Sequence, residues 1–274
     1  MRNWFILLAA LAAFFLAGPA GACGPDTECR IGDRFYLIRM PEGHDGKSPV
    51  GAIVYAHGYR GTATGVMRNQ RLAAVAQQLN VALIATKSAG LGWSLPGSPG
   101  HSRAADVDEL DYFDRVIEDV VTRFPVDRKR LVAAGFSAGG MMVWHLACYR
   151  SERFAGFVPI AGTFWVPVPD TCATPAASIV HIHGSVDRTV PLNGRVIREA
   201  KQGEVPRVID MYAGYGGFGP AIELGAENLA CKLRTNAAGR ILNFCLFEGG
   251  HVFDANRIAQ AWQMLTKAGS FPKP

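Results

Sequence analysis

Short apolar runs alternating with amphipathic helical patterns restrict this chain more than any other feature. "DRFYLIRM" and "VGAIVYA" read as strands, "VMRNQRLAAVAQQL" as a helix and "VALIAT" as a strand again. "DVDELDYFDRVIEDVVTRF" follows as an amphipathic helix whose acidic start suits the helix dipole. Then come "RLVAAG", the helix "AGGMMVWHLACYR", "GFVPIAG", "SIVHIHG", the two arms of "LACKLRTNAAGRILNFCLF" and a last helix in "ANRIAQAWQMLTKA". Strands and helices in this order predict an α/β fold, with a mainly parallel sheet covered on both faces.

The first 22 residues stand apart from that pattern. "MRNWFILLAALAAFFLAGPAGA" has a positive start, an apolar run from Trp4 to Ala17 and the small residues Ala20-Gly21-Ala22 before Cys23. It reads as a secretory signal, with residues 23–274 as one α/β domain of ordinary size. The apolar run is shorter than the roughly 20 residues of a bilayer span, which disfavours a membrane anchor. Lipidation of Cys23 is disfavoured by Ala20, where such signals usually carry Leu. It would also leave an odd number of the six cysteines to pair. The predicted destination is the periplasm or the exterior.

An even cysteine set in an exported chain predicts disulfides. Gly239 suits the left-handed last position of a three-residue hairpin loop. Centring that hairpin on Ala238 sets Cys231 opposite Cys245. Cys23–Cys29 and Cys148–Cys172 are the expected pairs among the other four, with connectivity left open because six cysteines allow fifteen pairings. The formal charge of +5, or +4 without Arg2, is spread along the chain with no basic block. Nucleic acid and the membrane surface are therefore poor partners for the mature form, and oligomeric state is not legible.

"LVAAGFSAGGMMVW" carries the chemistry. Gly135-Phe136-Ser137-Ala138-Gly139 fits G-x-S-x-G between a predicted strand and a predicted helix. There a tight turn lifts the hydroxyl above the sheet edge and aims the Ala138 N–H at a developing oxyanion. A turn without chemistry is the alternative, and two further loops weigh against it. "SIVHIHG" leads into Ser185-Val186-Asp187, and "NFCLFEGGH" ends on His251. The order Ser137, Asp187, His251 supplies a nucleophile, an acid that fixes a tautomer and a base. His181 and His183 lie within a strand and read as core residues. His145 lies on the helix after the serine, His101 in a loop, and Asp254 at a helix start where a cap is expected. The loop after "IVYA" supplies the second oxyanion donor through the Tyr59 backbone, with Arg60 the second choice.

"AHGYRG", "GFSAGG", "HIHGSVDRTVP" and "FEGGH", in that order, resemble the polyhydroxybutyrate depolymerase-like and feruloyl-esterase-like α/β-hydrolases. The resemblance runs from about Tyr36 to about Met264. It implies an eight-stranded α/β-hydrolase sheet and a secreted serine esterase that needs no metal or cofactor. By position it makes Ser137 the nucleophile, Asp187 the acid and His251 the base, with Tyr59 and Ala138 as oxyanion donors. The implied substrates are polyhydroxyalkanoate-type oligomers or polyester. Feruloyl or acetyl esters of plant polysaccharide are the alternative, and a non-catalytic binding protein on the same scaffold is a third reading. The chain ends at Pro274, so the polymer-binding module of crystalline-polyester depolymerases is not expected, and oligomers or smaller esters fit better. Only "TFWVPVPDTCATPAA" separates the strand after the nucleophile helix from the acid strand, too little for a large lid. Trp93 and Trp165 lie in loops near the mouth, where substrate contact and packing over the core edge are equally open.

Overall fold

The computed structural model describes residues 23–99, 101, 106–226 and 228–271, so the expected leader, 1–22, lies outside the described residues. The strands are β1 (Cys29–Ile31), β2 (Arg34–Arg39), β3 (Val50–Ala56), β4 (Val81–Thr86), β5 (Val126–Phe136), β6 (Gly156–Ile160) and β7 (Ile179–Gly184). They continue with the small ribbon β8 (Val196–Ile197) and β9 (Ala200–Lys201), then β10 (Ile222–Ala226), β11 (Leu229–Thr235) and β12 (Ile241–Phe247). The helices are α1 (Ala63–Met67), α2 (Gln70–Gln78), α3 (Glu109–Arg123), α4 (Ala138–Tyr149), α5 (Val205–Tyr215) and α6 (Asn256–Lys267).

One sheet runs in the order β1-β2-β4-β3-β5-β6-β7-β12-β11-β10. Its six central strands, β4 to β12, are mutually parallel, and both margins are antiparallel. Side chains along each central strand alternate between two cores. In β3, Ala52, Val54 and Ala56 face the core shared with α3, α4 and α5, while Ile53 and Tyr55 face the core shared with α1, α2 and α6. Burial on both faces explains why these strands read as continuous apolar runs.

The architecture is that of the α/β-hydrolases, with one correction to the strand count: the sheet has ten strands, not eight. The eight apolar runs all become sheet strands, and β1 and β10 add one antiparallel strand to each edge. β1 buries Cys29 and Ile31 but is only three residues long, and β10 exposes Ile222 and Leu224, so neither leaves an apolar run in the sequence. The helix expected over 66–79 is broken, because Asn69 turns inward and accepts the Leu72 N–H at 3.1 Å to cap α2. The unexpected α5 starts with Pro206 in its first turn and buries Val205, Val208, Ile209 and Tyr212. The segment 161–178 between β6 and β7 contains no helix.

Disulfides join Cys23 to Cys29, Cys148 to Cys172 and Cys231 to Cys245. Cys231 and Cys245 are register partners of β11 and β12, the cross-strand placement that the hairpin geometry requires. Three bridges among the described residues fit a protein of an oxidising compartment. No helix among the described residues is long and apolar enough to cross a membrane.

Candidate active site

The parallel strands end together, and the three candidate residues follow three of them. Ser137 comes directly after β5, with φ 59° and ψ −122°, a conformation that a residue with a Cβ adopts only when its surroundings impose it. Its N–H donates to Ile160 O at 2.9 Å, tying the turn to β6. The flanking glycines are required by backbone crowding. A Cβ on Gly135 would lie 2.5 Å from Gly139 C, one on Gly140 2.6 Å from Ile160 O, and one on Gly139 inside the Ala56 carbonyl. α4 thus starts with its backbone pressed on β3, and the N–H of Ala138 belongs to a first turn whose amides have no partner within the helix.

The acid and imidazole loops are stitched to each other. Ser185 N–H donates to Phe247 O at 2.9 Å, and Val186 N–H to Gly249 O at 3.1 Å. Asp187 is buried, and its Oδ1 accepts the amides of Thr189 (2.8 Å) and Val190 (2.9 Å). Its Oδ2 lies 2.6 Å from His251 Nδ1. A carboxylate only accepts, so Nδ1 carries the proton and Nε2 is left as a base. The Phe136 ring lies 4.5 Å from the His251 ring, which brings the imidazole against the residue preceding Ser137. The structure therefore pairs Asp187 with His251 directly and holds both at the edge where the serine turn emerges.

The loop after β3 lies alongside. A Cβ on Gly58 would be 3.6 Å from Ser137 Cβ, so the loop backbone passes next to the serine. Arg60 spends its N–H on Leu91 O at 2.6 Å, whereas Tyr59, 60% exposed, stands at the mouth. Beneath them His57 is buried, its Nδ1 2.9 Å from Gly58 O and its Nε2 accepting the Ser88 N–H at 3.3 Å. Those contacts fit only a neutral ring protonated on Nδ1, and burial lowers its proton affinity in the same sense.

Trp93 is corrected: it does not line the mouth. It is 5% exposed, and its Nε1–H donates to His57 O at 2.8 Å, so the indole supports the loop after β3 from below. Trp165 stays half-buried after β6, pairing through its backbone with Gln202. His101 Nδ1 meets Ser94 Oγ at 2.9 Å, and His145 packs on Tyr149 with its pKa lowered to about 4 by burial. Asp254 accepts the Asn256 amide at a helix start. Sequence reading missed the supports of the oxyanion side. Glu109 Oε1 accepts the Ser94 N–H at 2.9 Å, and its Oε2 pairs with buried Arg34 at 2.8 Å. Arg34 in turn donates to Lys87 O and lies 3.4 Å from the Tyr112 ring centre. Nothing in the local sequence marks partners so far apart. Among the described residues, no group of three or more His, Cys, Asp or Glu is arranged to hold a metal ion.

Residues 100–203 match the family described as Phospholipase/Carboxylesterase, a stretch that contains Ser137 and Asp187. The chain is 30% identical over 155 residues to NocK, an esterase by name, of Nocardia uniformis subsp. tsuyamanensis, covering 57% of this chain and 43% of that one. It is 24% identical over 230 residues to feruloyl esterase C of Emericella nidulans, covering 81% of this chain and 77% of that one. The structure of an acetyl xylan esterase from Aspergillus awamori superposes with a TM-score of 0.60 at 15% identity, covering 85% of this chain and 96% of the other. The fold is that of the α/β-hydrolases, and the sequence is similar to that of esterases. Within that class, the chain resembles the feruloyl-esterase-like type.

Proposed function

We propose that residues 23–274, freed of a leader ending at Ala22, act as an exported serine esterase that works through an acyl-enzyme. The observation that carries this reading is the 2.6 Å bond from His251 to buried Asp187 beside the forced backbone of Ser137. In this scheme His251 Nε2 takes the Ser137 proton as Oγ attacks the ester carbonyl. The amides of Ala138 and Tyr59 receive the oxyanion, and His251 returns the proton to the departing alcohol. Water activated by the same imidazole then releases the acid. No step calls for a metal or cofactor.

Feruloyl- or acetyl-type esters of plant polysaccharide lead as substrates, because one relative is by name a feruloyl esterase and one structural neighbour by name an acetyl xylan esterase. Polyhydroxyalkanoate-type oligomers are the second reading, favoured by the rim. Exposed Tyr59, Leu91, Val186 and Val252 sit on loops next to Gly58, Asp187 or His251 and give the site an apolar border.

The test is the initial rate of 4-nitrophenyl butyrate hydrolysis by the oxidised protein and by Ser137→Ala. A loss of at least about 10³-fold in the variant is expected. Equal rates in two folded proteins would overturn the serine mechanism and favour a binding role. With the mechanism in hand, feruloyl esters, acetylated xylan oligosaccharides and hydroxybutyrate oligomers are compared by kcat/KM.

A further inference from the structure

The proposed mechanism uses one imidazole, yet two more lie wholly buried behind its acid. His181 and His183 are alternate residues of β7, with rings stacked 5.2 Å apart at 17°. They belong to one continuous hydrogen-bonded chain. Trp144 Nε1–H, from α4, donates to His181 Nδ1 at 3.0 Å. His181 Nε2 faces His183 Nδ1 at 3.0 Å, and His183 Nε2 faces Val190 O at 2.7 Å.

The two ends of this chain fix every proton in it. An indole N–H only donates and a carbonyl only accepts. His181 must therefore accept at Nδ1 and donate from Nε2, and His183 must do the same. A second proton on either ring would set two N–H groups head to head, and burial opposes that charge as well. Both rings are thus neutral and share one tautomer.

The end of the chain is the turn that holds the acid. Val190 receives the His183 proton on its carbonyl, and its own N–H donates to Asp187 Oδ1. His183 Nε2 also lies 3.6 Å from Asp187 Oδ2, the oxygen that meets His251. We infer that His183 is a positioning residue for the acid, its tautomer imposed through His181 by the Trp144 N–H on the helix that follows the nucleophile. The chain ties α4 to the Asp187 turn, so serine and carboxylate are registered through side chains as well as through the sheet. This inference rests on the Ser137–His251–Asp187 reading.

A merely structural buried chain would change stability and leave turnover alone. The experiment therefore compares kcat and KM for 4-nitrophenyl butyrate in His183→Leu, His183→Gln and Trp144→Phe, each shown to be folded by circular dichroism. His183→Leu is expected to lower kcat by about 10- to 100-fold with KM within about twofold, the pattern of a lost transition-state contribution. His183→Gln keeps an amide donor toward Val190 O and is expected to recover most of that loss. Trp144→Phe is expected to show a smaller loss. In an Asp187→Asn background, His183→Leu should cost little more, since both act on one group.

An unchanged kcat in folded His183→Leu, or a full additional loss in the Asp187→Asn background, overturns the inference. Parental rates in Ser137→Ala would instead overturn the triad itself, so the two failures are distinguishable. Nitrogen-15 NMR of the unmodified protein provides a check free of folding defects. Both buried rings should appear as the Nε2–H tautomer, and an Nδ1–H signal for His183 overturns the assignment.

Discussion

The serine turn and the loop after β3 lie side by side, yet different kinds of contact hold them. At the serine turn backbone presses on backbone: Gly135, Gly139 and Gly140 leave no room for a Cβ against Ala56, Ile160 and each other. On the oxyanion side the supports are side chains reaching across long stretches of sequence. Trp93 and Ser88 hold His57, Glu109 holds Ser94, and Arg34 holds Glu109. The first arrangement has no slack, because nothing can retreat except main chain. The second can lose a part and keep the fold while the loop after β3 shifts.

That contrast is sharpest in Gly139→Ala. One methyl group would push into the Ala56 carbonyl, so a loss of about 4–5 kcal/mol or failure to fold is expected, read as urea midpoint and soluble yield. A folded, active Gly139→Ala would break the comparison at once. Next in size is Arg34→Met, which leaves Glu109 buried and unpaired at a cost of about 3–5 kcal/mol. Burial already pushes the Glu109 carboxyl up against the pull of Arg34. Adding Glu109→Gln should recover part of the loss in a denaturation series, and no recovery would argue against the ion pair as the support.

Acid titration probes both regions together. Burial lowers the proton affinity of His57 on the oxyanion side, of His181 and His183 on the acid side, and of His145 to about 4. As pH falls through the ordinary value near 6.5, the unfolded chain takes up protons that the folded one refuses. Stability is therefore full above that pH and declines below it, by up to about 1.4 kcal/mol per pH unit for each histidine until its folded value is reached. Tm measured from pH 7 to 4.5 should fall accordingly, and a flat profile would contradict neutral buried rings. The smallest effect is expected for Trp93→Phe, which removes one N–H from His57 O: about 1 kcal/mol of stability, with kcat reduced more than KM is raised.

The same contrast explains what could be read without coordinates. The serine corner was legible because only glycine tolerates such crowding, and G-x-S-x-G states that requirement within five residues. The central strands were legible because two-sided burial writes itself as apolar runs. Trp93 was misplaced because an indole in a loop looks the same whether its N–H meets solvent or the His57 carbonyl. Arg34, Glu109 and Ser88 were invisible because each finds its partner across a fold that had first to be assembled. β1 escaped because three residues are too few to show a period, and β10 because its apolar residues face outward.

The disulfides, finally, bear on how the molecule is made. The three bridges span 6, 24 and 14 residues, and their loops neither overlap nor interleave. Each can close within its own segment, from the N-terminus onward, without waiting for a distant cysteine. A chain entering an oxidising compartment in that order meets each correct partner before any cysteine of the next pair has arrived.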